Sequence, residues 1–288
     1  MPDGGPCRDN DGVKPLRFMG AALAKFWRDE GPFLASGIAF QVLLCLIPLA
    51  LLVLSGAGSY LFSHDRIVEQ LGRYLEQAAP TLDEDLRNNI LEIIDHRGTT
   101  GVVGTLGLLW IATSVFSGLR FALNAIFNVP KPHSTLHGLV FDLGMIALSV
   151  AAFFVSIGLT AAIEYLRRVQ TEIFPAAPGI LLQISLAYLV PFLLAVVLCY
   201  MIFHLVPNRR VCLRSALLGA LFTAVLWEVA KHLFKWYVIT FKGYSLVYGS
   251  LSAAAVLLVW TYYSVAVLLL GAEVAVLLER ERAAASQA

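Results

Sequence analysis

Two sets of ionisable residues stand among apolar neighbours, where only a partner or a function makes them affordable. Glu228 lies well inside the apolar stretch Ser215–Leu233, with Lys231 at i+3 and Lys235 at i+7 on much the same helical face. At about 1.5 Å per residue, Glu228 is roughly 20 Å along that stretch. A lone charge at the centre of a membrane span costs about 2.5–3.5 kcal/mol on insertion scales. Two readings follow: a snorkelling Glu228–Lys231 pair near an interface, or a charged wall of a water-filled cavity. The second set is Arg120 and Asn124, spaced i, i+4, with Glu273 near the end of another apolar run. Two readings stand here as well: two separately solvated interface charges, or an Arg120–Glu273 pair that clamps one end of a helical bundle. Gln41 adds a single amide about 15 Å into its own run. It reads as an interhelical hydrogen bond or as a cavity-lining group.

Patterns for enzymatic chemistry are absent. His133 and His137 share a spacing but no Glu follows His133, so the HExxH metal motif is missing. No phosphate-binding glycine loop and no GxSxG nucleophile elbow occurs. The acidic run Asp83-Glu84-Asp85 has no basic groove beside it, which argues against a nuclease. Cys7, Cys45, Cys199 and Cys212 lack CxxC spacing and read as small hydrophobes rather than disulfide partners or zinc ligands. The expectation is no enzyme, no metal and no cofactor.

The elements that position these residues are set by charge-free length. No charged side chain lies between Glu30 and His64, Arg97 and Arg120, Asp142 and Glu164, Glu172 and His204, or Lys242 and Glu273. A bilayer core needs roughly 20 apolar helical residues to cross it. Hydrophobic residues make up 58% and charged residues 14%, against about a quarter charged in a soluble domain. Five such gaps, and a sixth stretch at Ser215–Leu233 that qualifies only with Glu228 and Lys231 accepted inside or near it, make the fold class all-α, a polytopic membrane protein with six transmembrane helices. The expected spans are 33–60, 102–123, 139–163, 179–203, 215–233 and 246–270, within a membrane domain at 31–278. Residues 1–30 hold an amphipathic interfacial helix and no apolar signal-peptide core, and 279–288 form a polar tail. Residues 63–98 read as an acidic helical hairpin outside the membrane, with 4 Lys and Arg against 8 Asp and Glu.

Six crossings put both termini on one side. With the termini cytoplasmic, inside segments carry 12 Lys and Arg and outside segments 9, and Arg209-Arg210-Arg214 forms the most compact inside cluster. A net charge of +1 gives no basic footprint for nucleic acid. Membrane lipids are the expected partners, and a homo-oligomer stays open. Gly101, Gly104 and Gly107, and Gly219, Ala220 and Ala224, read as small-residue faces for close helix packing.

Several segments resemble the YihY/BrkB family of bacterial inner-membrane proteins. They are FWRDEGPFLASGIAFQVLLCLIPL at 26–49, GLLWIATSVFSGLRFALNAIFNV at 107–129, HLVPNRRVCLRSALLGALFTAVLWEVAK at 204–231 and YSLVYGSLSAAAVLLVWTYYSVAVLLLGAEV at 244–274. VYGS at 247–250, which includes Tyr248, and LGAE at 270–273 are the more specific parts. The resemblance implies a six-helix inner-membrane protein with cytoplasmic termini. Some members were labelled ribonuclease BN, which the residues here do not support; others are linked with export of lipids or lipopolysaccharide precursors. This chain departs at Gln41-Val42, where many members carry a Tyr-containing pair. The expected function is transport of an amphiphilic or lipid-type substrate past Gln41, Arg120, Asn124, Glu228, Lys231, Tyr248 and Glu273. The alternative is a non-transporting scaffold acting through the 63–98 hairpin, with a ribonuclease a distant third.

Overall fold

The computed structural model describes residues 15–61, 96–129, 135–173, 179–209, 211–240 and 252–285. Among them there are seven helices and no strand. They are α1 (Pro15–Arg28), α2 (Gly31–Leu61), α3 (Arg97–Ile126), α4 (Thr135–Ile173), α5 (Gly179–Leu205), α6 (Leu213–Thr240) and α7 (Ser252–Ala285). Nearly all of the expected hairpin, together with Tyr248, His133 and Asp83 to Asp85, lies outside the described residues.

Five helices hold stretches long and apolar enough to cross a membrane: Gly31–Gly56, Gly98–Ile126, Gly138–Leu159, Leu213–Thr240 and Ala254–Ala284. In α5 the described apolar stretch is shorter, Leu189–Leu205. Exposure is inverted relative to a water-soluble protein. Trp110, Phe33, Val140 and Phe121 are each about 70% exposed, whereas Glu273, Asp142, Ser215 and Thr223 are buried. Large exposed apolar side chains in such number would not remain separate in water. In hydrocarbon they are the solvated groups, and the polar side chains are the ones that must be sheltered.

The chain divides into two compact units. One comprises residues 40–115. Here α3 lies against α2 at Gly104, where an added Cβ would stand 3.2 Å from the Pro48 carbonyl oxygen and 3.3 Å from Leu51. Pro48 sits inside an unbroken helix. Gln41 belongs to this unit, and its Oε1 is buried and accepts no hydrogen bond among the described residues.

The other unit holds residues 1–39 and 116–288, with α7 packed on α6, α6 on α5, and α1 against α7. Small residues let α6 and α7 approach closely. A Cβ on Gly219 would lie 2.7 Å from that of Ala275 and 2.9 Å from the Gly271 carbonyl oxygen, and one on Gly271 would overlap Thr223. Ala220 and Ala224 are buried along the same face. The turn after α1 closes at Glu30, which takes a left-handed φ of 55°, and the Phe26 ring occupies the place of a Gly31 side chain. The chain then enters α2 with the Leu34 amide donating to the Glu30 carbonyl at 3.0 Å.

Candidate functional site

The end of the larger unit where α1, α3 and α7 meet is built around Lys25. An ammonium group has three N–H donors. Here they meet Asp29 Oδ2 at 2.5 Å, Glu273 Oε2 at 2.5 Å and the Ile126 carbonyl oxygen at 3.3 Å. Glu273 is fully buried, and its other oxygen, Oε1, has no hydrogen-bond partner among the described residues. The Ile126 carbonyl belongs to the last turn of α3. That turn closes as a Schellman motif: the Val129 amide donates to Asn124 O and the Asn128 amide to Ala125 O, with Asn128 left-handed at φ 54°. Lys25 thus places its charge at the negative end of the α3 dipole while joining two carboxylates.

Asn124 ties in a second loop. Its Oδ1 accepts a hydrogen bond from the Asn208 amide at 2.9 Å. Beside it, Arg209 pairs with Glu279 and lies over the Phe127 ring at 5.4 Å. Burial, with help from nearby Arg280, pulls the Arg209 guanidinium below its ordinary value. Arg282 reaches Ser215 Oγ at 3.5 Å. Cys212, read from its spacing as a small hydrophobe rather than a disulfide partner, is disulfide-bonded. Cys45 and Cys199 are free.

Arg120 does not pair with Glu273. Its Nη2 donates to Asp142 Oδ2 at 3.0 Å, and Gly138 leaves room for the guanidinium where a side chain would collide. Asp142 is 2% exposed, and its Oδ1 has no partner among the described residues. The expected clamp is therefore two clamps, Lys25–Glu273 and Arg120–Asp142. The i, i+4 reasoning sees only a residue's own helix, whereas both partners come from other helices. Asp142 carried a signal, since it lies three residues inside the expected span at 139–163. Lys25 carried less, because its helix reads as surface amphipathic.

Toward the opposite end of α6, Lys231 pairs with Glu228 at 2.6 Å. Both are partly exposed, and the His232 ring nitrogen Nδ1 lies 2.8 Å from the Glu228 carbonyl oxygen. Near them Trp227 meets Trp260 edge to face at 5.7 Å, and Phe234 lies 4.7 Å from Trp260. A partly open cavity of about 470 Å³ lies among α4, α5, α6 and α7. Its walls are aliphatic and aromatic apart from Ser156, Cys199 and Ser264, and Ser264 Oγ is buried without a partner among the described residues. Trp227 lines this cavity and Glu228 does not, so the charged wall expected at Glu228 is missing from it. Among the described residues no group of three His, Cys, Asp or Glu side chains is set as metal ligands would be.

Long apolar helices, lipid-type exposure and sheltered ion pairs define a helical integral membrane protein. The family model described as virulence factor BrkB matches residues 22–288, and the chain belongs to that family. A UPF0761 membrane protein from Chlorobium phaeobacteroides (strain DSM 266) is 32% identical over 92% of this chain and 58% of its own length. One from Alkalilimnicola ehrlichii is 30% identical over 86% and 55% respectively. One from Haemophilus influenzae is 24% identical over 84% and 87%. The chain spans little more than half the length of the first two. No solved structure matches it.

Proposed function

We propose that the protein moves an amphiphilic, lipid-type substrate across a bacterial inner membrane, as a six-span transporter with both termini in the cytoplasm. The observation that carries this reading is the cavity among α4 to α7. It has the size of a small-molecule site, about 300–1,000 Å³, and walls suited to an acyl chain rather than to a polar solute. The sixth span in this reading is α5, which is 27 residues long. The orientation is supported by Arg209, Arg214 and Arg282, which gather near the end where α1 docks. Lys25, Arg120, Asn124 and Glu273 then hold that end closed, while Glu228 and Lys231 stand near the other mouth.

Reconstituted vesicles test the reading. A fluorescent-tagged phospholipid should cross faster with the protein than without it, and Ser264→Phe, which fills the cavity, should return the rate to that of empty vesicles. Equal rates in all three preparations would remove transport.

A further inference from the structure

We propose that the cavity and the Lys231 turn of α6 form one binding site for an anionic phospholipid, its acyl chain in the cavity and its phosphate at Lys231. This deepens the transport reading above and rests on it. The face of α6 supplies the argument. Ala224 and Trp227 line the cavity, and Lys231 follows at i+7 and i+4, so it continues the same face one turn, about 6 Å, beyond the apolar wall. An apolar wall that ends in a cation has the polarity of an amphiphile lying along the helix.

The depth fixes the tail. Stretches of α4, α6 and α7 that border the cavity belong to segments apolar enough to cross a membrane. There the surrounding medium is hydrocarbon, and no charged side chain lines the space to hold a polar ligand. The charges fix the head. One carboxylate, Glu228, faces a turn that also carries Lys231 and Lys235, which leaves a positive excess. Among the described residues Lys231 spends one of its three N–H donors on Glu228, and its side chain is 40% exposed, which leaves two donors for phosphate oxygens. Its long stem allows the ammonium to reach toward the interface. Trp227, Trp260 and Phe234 form an aromatic wall beside it, the side-chain type favoured at headgroup level.

The test is quenching of tryptophan fluorescence in the purified full-length protein in detergent micelles, titrated with phosphatidylglycerol brominated on its acyl chains. The expected result is a saturable component that Trp227→Phe removes and Ser264→Phe prevents. Lys231→Gln should raise its half-saturation about tenfold, Lys231→Arg should leave it close to wild type, and brominated diacylglycerol should bind like the Gln variant. Quenching that never saturates, which marks annular lipid only, overturns the site, as does unchanged affinity in Lys231→Gln. If Lys231→Gln fails to fold, the comparison of the two brominated lipids on wild type decides alone. Saturable binding without flux in vesicles leaves the site and removes transport; flux without saturable binding does the reverse.

Discussion

Lys25 and Glu273 are 248 positions apart in the chain and 2.5 Å apart in space. The pair joins the first described helix to the last, and the same ammonium reaches the final turn of α3 through Ile126. Three elements remote in sequence depend on one side chain. Removing one partner of a buried pair leaves the other charge uncompensated, at about 3–5 kcal/mol. Lys25→Met and Glu273→Met should each lower the unfolding temperature in detergent sharply, and the double variant Lys25→Met/Glu273→Met should lose far less than the sum. Additive losses would mean that the two do not share an interaction.

Arg120 offers a choice between two partners that charge reversal can settle. Arg120→Glu should be rescued, in yield of folded protein, by Asp142→Arg and not by Glu273→Arg. The 3.0 Å contact to Asp142 is the basis of this expectation. Rescue by the Glu273 variant instead would restore the pairing read from the sequence.

Asn124→Ala removes the acceptor of the Asn208 amide and leaves that N–H without its partner, at about 1–3 kcal/mol. Hydrogen exchange at Asn208 should accelerate, while exchange at Val129, whose amide is held by the Asn124 backbone, should change little. Uniform acceleration across both loops would point to general loosening.

At the α6–α7 crossing, Gly219→Leu and Gly271→Leu force side chains into occupied space and should cost at least about 1–3 kcal/mol of stability. Gly144→Ala is the control, since nothing lies within 4 Å of its would-be Cβ. It should be neutral or slightly stabilising. Thermal unfolding of the three variants side by side measures the difference.

Hydrophobic length made the helical membrane character legible, because a charge-free run long enough to cross a bilayer has few other uses. The end of α7 was harder to see. A charge ordinarily terminates a span, so Glu273 marked the end of the charge-free run, yet the helix continues to Ala285 and the carboxylate lies buried against Lys25. Asn124 was legible from its place at a helix end, though its partner Asn208 was not. Lys25 and Asp142 were missed because an ion pair across helices is a tertiary fact, and each partner alone looks like an ordinary edge of an apolar run. Glu228 and Lys231 pair within one helix, which is why their contact was open to spacing alone.

The most direct measurement is the extent to which a membrane-impermeant reductant bleaches head-labelled phosphatidylglycerol in vesicles containing wild-type protein, Ser264→Phe, or no protein. The expected result is bleaching beyond the outer-leaflet fraction with wild type only. Bleaching that stops at the outer leaflet in all three, with correctly folded and inserted protein, would contradict passage of an amphiphile through the cavity.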